Sequence, residues 1–251
     1  MTMSTLKKII MLIIMFIFVA IFIFSAIQII NYINDINENV KIMDEVIENI
    51  QEEDNNNTSE NNQKHDDKVS VDFASLKAMN PDTVGYLKVN GINIQDIVVQ
   101  AKDNDYYLSH NFNKKYNQAG WIFADFRNRL DGTDNNIIIY GHNMKNGSMF
   151  SNLKNILTKE WQDVEENMYV TFVTEREYSI YKVFSVYQIE AENYYITTNF
   201  NGGSFSNFIN KLKARSAKDF NVNVENKNQI LTLSTCADNN NYRVVLHAVK
   251  C

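Results

Sequence analysis

The string ILTLSTCADNNNYRVVLH at residues 230–247 places a thiol and a guanidinium where they could act together. An apolar, β-branched run leads up to Cys236, a polar turn follows, and a second apolar run begins beside Arg243. A hairpin of this kind would return Arg243 to the strand end that carries Cys236. A thiolate is the nucleophilic form of cysteine, and a nearby positive charge stabilises the thiolate and any oxyanion formed later. The pattern fits nucleophilic catalysis, although a cysteine at a strand end is also common as a small buried apolar residue.

A cysteine acyltransferase also needs a proton donor for the departing amine, which is usually histidine. His142 follows the apolar run IIIY, and the preceding Gly141 permits a close backbone approach. His110 lies in the polar segment YYLSHNF, where it could equally be a structural residue. His247 lies four residues after Arg243, so it would point to the same side of the strand but about 13 Å further along. The spacing favours His142 and leaves His110 open.

The elements that must position these residues are mainly strands. Eight runs rich in Val, Ile, Tyr and Phe, separated by Asn, Asp and Gly turns, predict β-strands. They cover residues 85–89, 97–100, 121–126, 137–140, 169–174, 178–189, 229–236 and 242–249. Helical stretches are predicted at 71–79, 149–157 and 204–215. Many strands and few helices predict a mainly β domain over residues 69–251, built as a closed barrel or a sandwich.

The N-terminal part of the chain predicts a membrane anchor. Residues 9–30 form a run of 30 − 9 + 1 = 22 residues without a charge, which is long enough to cross a hydrocarbon core of roughly 30 Å. Lys7 and Lys8 precede this run and acidic residues follow it. The positive-inside rule then predicts residues 1–8 in the cytoplasm and the chain beyond residue 30 outside the cell. The run exceeds a usual signal-peptide core and lacks a small-x-small cleavage site, which favours an uncleaved anchor over a cleaved signal peptide.

Residues 31–68 predict a stalk helix followed by a flexible tether. The apolar residues Ile33, Ile36, Val40, Met43, Ile47 and Ile50 have the spacing of one helix face. Fewer than three heptads favour a juxtamembrane helix over a coiled coil. Residues 51–68 are polar and nearly free of apolar side chains, and His65 within them is interpreted as solvated.

Composition excludes some functions. The net charge of −6 and the pI near 5.3 argue against nucleic acid as a partner, since nucleic acid selects basic surfaces. The two cysteines, Cys236 and Cys251, are too few for a disulfide framework, and Cys251 is poorly placed for one. A free thiol in an exported domain therefore requires another explanation.

Five segments resemble the sortase family. TLSTC at residues 232–236 is similar to the TLxTC signature of sortases, with serine in the variable position as in class B members. YGHNM at 140–144 resembles the segment that holds the sortase histidine, and YRVV at 242–245 resembles the strand that holds the sortase arginine. Residues 80–100 and 106–112 resemble the opening of class B sortase domains. The resemblance covers residues 69–249 and implies a closed eight-stranded sortase-type β-barrel behind an N-terminal signal anchor.

This resemblance implies a cysteine transpeptidase. Cys236 would attack the Thr carbonyl of a C-terminal sorting motif, NPxT-like, on an exported protein. Arg243 would stabilise the oxyanion, His142 would protonate the departing amine, and an amino group of the peptidoglycan precursor would accept the acyl group. The chemistry requires no metal and no organic cofactor. We expect the catalytic domain to be monomeric once it is freed from the membrane.

Two alternatives come from other functional classes. A hydrolytic, membrane-anchored cysteine protease would share Cys236 and His142, but the papain-type context CGSCW is absent. A non-catalytic surface binding module would explain the anchor and the β-rich domain and would leave the combination of Cys236, His142 and Arg243 as coincidence. Asp238, in the turn after Cys236, is either an orienting residue for Arg243 or His142, or an ordinary turn aspartate.

Overall fold

The computed structural model describes residues 3–52, 69–200, 204–225, 228–236 and 241–251. The chain forms two compact units, Met1–Glu38 and Asn39–Cys251. Most of the first unit is helix α1 (Met3–Ile47), which continues into the second unit. The apolar residues of the 9–30 run are largely exposed, and α1 is long and apolar enough to cross a membrane. Helix α1 is therefore a candidate membrane anchor.

A closed barrel of eight strands forms the core of the second unit. Its strands are β3 (Thr83–Val89), β4 (Ile94–Val99), β5 (Phe123–Ala124), β6 (Asn136–Gly141), β7 (Tyr169–Val173), β8 (Tyr178–Glu190), β9 (Ile230–Cys236) and β10 (Tyr242–Lys250). Around the barrel they follow the order β10-β8-β7-β3-β4-β5-β6-β9. Each strand overlaps one of the predicted apolar runs. The predicted mainly β fold with a closed eight-stranded barrel is confirmed.

Two of the contacts between barrel strands are parallel, β4 with β5 and β6 with β9, and the others that join the described strands are antiparallel. Strand β5 is shorter than the predicted run 121–126. The chain turns before it at Gly120, where φ is +59°, and after it where the Asn128 amide donates to the Asp125 carbonyl. The parallel pair β6–β9 matters most for function, because parallel strands that lie side by side end at the same edge of the sheet.

Helices cover parts of the barrel. They are α2 (Phe73–Met79), α3 (Lys159–Gln162), α4 (Ser204–Arg215) and 3₁₀ turns at Tyr106–Leu108, Phe150–Leu157, Glu165–Met168 and Tyr194–Ile196. Helix α2 begins later than predicted because the Asp72 carboxylate accepts the Ser75 amide at 3.0 Å and caps the helix. Helix α4 buries the apolar face expected from its spacing, with Phe205, Phe208 and Leu212 packed into a core cluster.

The end of α1 belongs to the same unit as the barrel. Ile42 and Val46 are buried there, whereas Ile33 and Val40, on the face suggested by the apolar spacing, are about half exposed. Beyond α1, strand β1 (Ile50–Glu52) pairs with β2 (Val69–Val71) in a small antiparallel sheet. The first two residues of the predicted tether thus lie in a strand, and the rest of it, including His65, lies outside the described residues.

Candidate active site

The predicted nucleophile and proton donor come from adjacent parallel strands. Strands β6 and β9 pair from Asn136 with Ile230 up to Gly141 with Thr235. His142 follows Gly141 in the chain, and Cys236 follows Thr235. Both strands are almost entirely buried before this point, which fixes their register through the packing of their apolar side chains. The backbones of His142 and Cys236 therefore leave the barrel at the same edge.

Strand β10 brings the predicted arginine to the same place. It pairs antiparallel with β9, and Arg243 lies opposite Cys236 in the register. The Arg243 guanidinium donates to the Tyr242 carbonyl at 3.0 Å. The backbone topology thus brings the chain at His142 to the hairpin that carries Cys236 and Arg243, although His142 lies 236 − 142 = 94 residues before Cys236. Asp238 lies in 237–240, outside the described residues.

Hydrogen bonding defines the state of the His142 ring. Its Nε2 lies 2.8 Å from the Leu108 carbonyl oxygen. A carbonyl only accepts hydrogen bonds, so Nε2 carries a proton and the ring presents Nδ1 as its second nitrogen. The orientation of the imidazole is therefore set by a backbone group of the loop before β5.

Two glycines allow the chain to pack closely around His142. At Gly120 a Cβ atom would lie 2.4 Å from the Tyr107 carbonyl oxygen and 3.1 Å from His142 Cδ2, and the backbone has a positive φ. At Gly141 a Cβ atom would lie 2.7 Å from the Phe150 ring. A larger residue at either position would displace the loop or the strand that holds His142.

The other candidate histidines occupy structural positions. His110 Nδ1 donates to the Tyr106 carbonyl at 2.8 Å, and its ring stacks on Tyr106. His247 is fully buried in the barrel, and burial, together with the nearby Arg215 charge, lowers its pKa to about 3. His247 is therefore neutral at physiological pH. Among these three histidines, His142 is the one that lines the groove beside Arg243.

A groove of about 320 Å³ lies at this edge of the barrel. It is lined by residues from the loop before β5, the end of β6, the 191–196 segment and the ends of β9 and β10, namely Asn104, Leu108, Phe123, Tyr140, Gly141, His142, Ala191, Glu192, Asn193, Tyr195, Ile196, Ser234, Thr235 and Arg243. The Tyr195 and Ser234 hydroxyls lie 3.1 Å apart and tie one wall of the groove to β9. The groove can hold an extended peptide segment next to His142 and Arg243.

A buried carboxylate holds the walls of this groove together. Asp125 Oδ2 accepts hydrogen bonds from Asn104 Nδ2 at 3.0 Å and from the Tyr140 hydroxyl at 2.8 Å. The Arg127 guanidinium donates to both Asp125 carboxylate oxygens and also to the Ile196 carbonyl at 2.9 Å. Burial by itself would raise the pKa of Asp125, but the bonds from Arg127 and Tyr140 outweigh it and hold that pKa below its usual value. Asp125 is therefore an ionised hub between three groove-lining residues.

Neither this hub nor the 191–196 wall was assigned a functional role from the sequence. Asp125 and Arg127 did leave a signal, since they are two charged residues in the otherwise apolar stretch that follows Trp121. Their partners could not be identified, because Asn104, Tyr140 and Ile196 come together only when the barrel closes. Cys251, the second cysteine, is an exposed free thiol in a different place, and partial burial raises its pKa. A raised pKa makes Cys251 the weaker candidate for a nucleophile.

Comparisons with known proteins identify the family of this chain. The family model described as "Sortase domain" matches residues 87–251. Sortase B of Listeria monocytogenes is 40% identical over 177 residues, which are 69% of this chain and 70% of that protein. The chain belongs to the sortase family. Sortases are cysteine transpeptidases that anchor proteins to the cell wall, so the non-catalytic binding module is excluded.

Solved sortase structures show the same fold. Clostridium perfringens sortase B is 38% identical with a TM-score of 0.67, and the match covers 71% of this chain and 98% of that one. A Staphylococcus aureus sortase B–substrate complex is 33% identical with a TM-score of 0.67, covering 71% of this chain and 84% of that one. The predicted class B resemblance is thus confirmed for this sortase.

Proposed function

We propose that this sortase cleaves exported proteins at an NPxT-like C-terminal motif, after its Thr, and joins them to an amino group of a peptidoglycan precursor. Cys236 is the nucleophile, His142 the proton donor and Arg243 the oxyanion stabiliser. The observation that supports the proposal is the register of β6, β9 and β10, which brings the backbone at Cys236, Arg243 and the residue before His142 to one edge of the barrel, beside a groove lined by His142 and Arg243.

The reaction proceeds in two balanced steps. The Cys236 thiolate attacks the Thr carbonyl carbon, the peptide C–N bond breaks, and the departing amine takes a proton from His142. The acyl group remains as a thioester. The acceptor amine then attacks this thioester, returns a proton to His142 and expels the thiolate. Arg243 donates hydrogen bonds to the oxyanion in both steps.

The hydrogen bond to Leu108 assigns the proton transfer to one ring atom of His142. Because Nε2–H is engaged by the Leu108 carbonyl, Nδ1 is the nitrogen that releases and recovers the proton. The ring can therefore change its charge without changing its orientation.

Side chains of the groove support a motif that begins Asn-Pro. Asn193 and Ser234 offer polar partners to an asparagine side chain, and Leu108 and Ile196 offer an apolar wall to a proline ring. A leucine in the first position would form neither of these hydrogen bonds, a loss of about 0.5–1.5 kcal/mol for each.

The same proposal covers topology. Lys7 and Lys8 precede the apolar part of α1, and the positive-inside rule places them in the cytoplasm. The catalytic unit then lies outside the cell, where both exported proteins and peptidoglycan precursors are found.

A peptide competition tests the proposal. The full-length protein in detergent is mixed with two peptides that differ only in Asn or Leu before Pro, together with a primary amine, and products are identified by mass spectrometry. We expect amine-linked products and a higher kcat/KM for the Asn peptide. Cys236→Ala should abolish product formation, and the matched variant Cys251→Ser should retain it. Release of free acid alone would indicate a hydrolase, and preference for Leu would contradict the proposed motif.

A further inference from the structure

A second pocket of about 360 Å³ lies within the Asn39–Cys251 unit. Its walls are the C-terminal turns of α1, residues 93–96 at the start of β4, and the turn at 146–149 that follows the His142 strand end. No residue lines both this pocket and the groove beside His142. The proposed peptide chemistry therefore gives the pocket no role.

One wall of the pocket carries a buried carboxylate with no partner. Asp96 is 6% exposed, and no described residue forms a hydrogen bond or an ion pair with its side chain. Burial alone raises the pKa of Asp96 to about 7. An isolated buried carboxylate is unfavourable by several kcal/mol unless it gains a proton or a cationic partner.

The wall formed by α1 carries a second acceptor without a partner among the described residues. Asn39 Nδ2 donates to the Gly120 carbonyl at 2.9 Å, which fixes the orientation of the amide because a carbonyl can only accept. Asn39 Oδ1 is consequently turned away from Gly120, and it is buried without a partner among the described residues. A third acceptor, the Asp44 carboxylate, lines the exposed part of the same pocket. The described lining residues thus include two carboxylates and no Lys, Arg or His, so the pocket carries negative charge without a cationic side chain.

The chemistry of the lining selects one kind of ligand. An ammonium group has three N–H donors and no acceptor, which complements these oxygens. Val40, Met43 and Ile47 add an apolar surface suited to methylene groups. Three or more His, Cys, Asp or Glu side chains placed to hold a metal ion are not found in the described residues. A phosphate-bearing headgroup would bring an anion close to Asp44 and Asp96.

We propose that this pocket binds a primary alkylammonium group, such as the side chain of a lysine-type diamino acid, with the ammonium between Asp96 and Asn39 Oδ1. The aliphatic stem lies along Val40, Met43 and Ile47. The site does not depend on the proposed peptide motif, since binding there involves none of the groove residues.

Calorimetric titration of the full-length protein in detergent with n-butylammonium chloride tests the site. We expect saturable single-site binding that Asp96→Asn weakens by roughly tenfold or more, because a charge-assisted hydrogen bond is lost. The matched variant Asp44→Asn removes an exposed carboxylate and should weaken binding by a smaller factor. Asp44 is the one other titratable side chain among the described lining residues, so wild-type affinity should rise from pH 6 to pH 8 as Asp96 ionises.

Thermal unfolding at pH 8 separates loss of the site from loss of the fold. Asp96→Asn removes an unpaired buried charge, so its unfolding temperature should equal or exceed that of the wild type. Absence of saturable binding to the wild type, equal affinity in Asp96→Asn, or tighter binding of phosphoethanolamine or calcium than of butylammonium would each overturn the proposal.

Discussion

At the scale of single residues, Arg243 is the proposed donor to the oxyanion. A guanidinium presents a planar fork of donors, whereas a lysine ammonium is a point charge on a flexible stem. We therefore expect Arg243→Lys to lower kcat/KM by about 10²–10³, the loss seen when one oxyanion-hole donor is removed. The matched variant Arg176→Lys, in an exposed turn between β7 and β8, should keep full activity. Nearly full activity in Arg243→Lys, measured with the Asn-Pro peptide, would make Arg243 a structural residue.

Asp125 is a second residue whose role can be tested by substitution. We expect it to position neighbouring groove residues and not to contact the substrate. Replacing it with asparagine removes the ion pair with Arg127 and puts an NH₂ donor in place of one of the two oxygens that accept hydrogen bonds from Arg127, Asn104 and Tyr140. We expect Asp125→Asn to raise the KM for the peptide by about tenfold, since bonds to charged groups are worth about 1.5–3 kcal/mol, and to change kcat less. Asp134→Asn provides a control, because Asp134 is also a buried carboxylate that accepts backbone amides. An equal KM in both variants would show that Asp125 serves stability alone.

Local sequence was enough to predict Cys236, His142 and Arg243 as site residues, but it did not predict a role for Asp125. Cys236, His142 and Arg243 stand at the ends of strongly apolar strands and within distinctive strings, so local sequence was enough to single them out as candidates. Asp125 gave only a weak signal, because its function depends on contacts with Asn104, Tyr140 and, through Arg127, Ile196. Those contacts span 15 to 69 residues of sequence. They exist only after strand pairing, which no local pattern encodes.

At the scale of secondary-structure elements, a buried hydrogen-bond chain joins the strands that carry the site. The Thr232 hydroxyl donates to Asn136 Oδ1 at 2.7 Å, so His247 Nδ1–H must donate to Thr232, and the Tyr187 hydroxyl donates to His247 Nε2. Asn136 in turn donates to the Thr197 carbonyl at 2.9 Å. These hydrogen bonds link β8, β10, β9 and β6 to Thr197, which directly follows the 191–196 wall of the groove. They require a neutral His247.

This chain predicts a pH dependence of stability. The folded pKa of His247, about 3, lies below its ordinary value of 6.5, so the unfolded chain binds the extra proton between these pH values. The contribution of His247 is fully present above about pH 6.5 and decreases as the pH falls, by up to about 1.4 kcal/mol per pH unit. Urea unfolding between pH 4 and pH 7 measures how the free energy of unfolding changes with pH. In His247→Gln this change should correspond to one fewer proton bound on unfolding than in the wild type. Identical slopes in the two proteins would contradict a buried neutral histidine.

The positions of the strands could be predicted from runs of β-branched and aromatic residues bounded by turns. Which strands pair with each other could not be predicted in this way. The runs that became β6, β9 and β10 were predicted within one or two residues at each end. Their parallel and antiparallel registers, which decide that His142 and Arg243 meet beside Cys236, result from closing the barrel. The apolar spacing from Ile33 to Ile47 likewise identified a helix but not its buried face, because the neighbouring surface that buries Ile42 and Val46 is formed by distant sequence.

At the scale of the whole molecule, the boundary of the catalytic unit lies before the end of α1. Asn39–Cys251 is one compact unit, so it includes Asn39, Ile42 and Val46. Burial of each of the two apolar side chains contributes about 1.5–3 kcal/mol. Asn39 also supports the loop beside His142, since it donates to the Gly120 carbonyl and a Cβ atom at Gly120 would lie 3.1 Å from the His142 ring. The last turns of α1 therefore stabilise both the domain and the position of its histidine.

Two truncated proteins distinguish the role of α1 as a membrane anchor from its role in stabilising the catalytic domain. Removal of residues 1–38 should give a soluble, monomeric and active domain, because it deletes only the unit that carries the apolar run. Removal of residues 1–68 should lower the free energy of unfolding by several kcal/mol and reduce kcat, since it also deletes Asn39, Ile42 and Val46. In the protein that lacks residues 1–38, Val46→Ala should lower the free energy of unfolding by about 2 kcal/mol. Val40→Ala, at a half-exposed position on the same helix, should leave it nearly unchanged. Equal stability and kcat in the two truncated proteins, measured by urea unfolding and peptide turnover, would show that α1 serves only to reach the membrane.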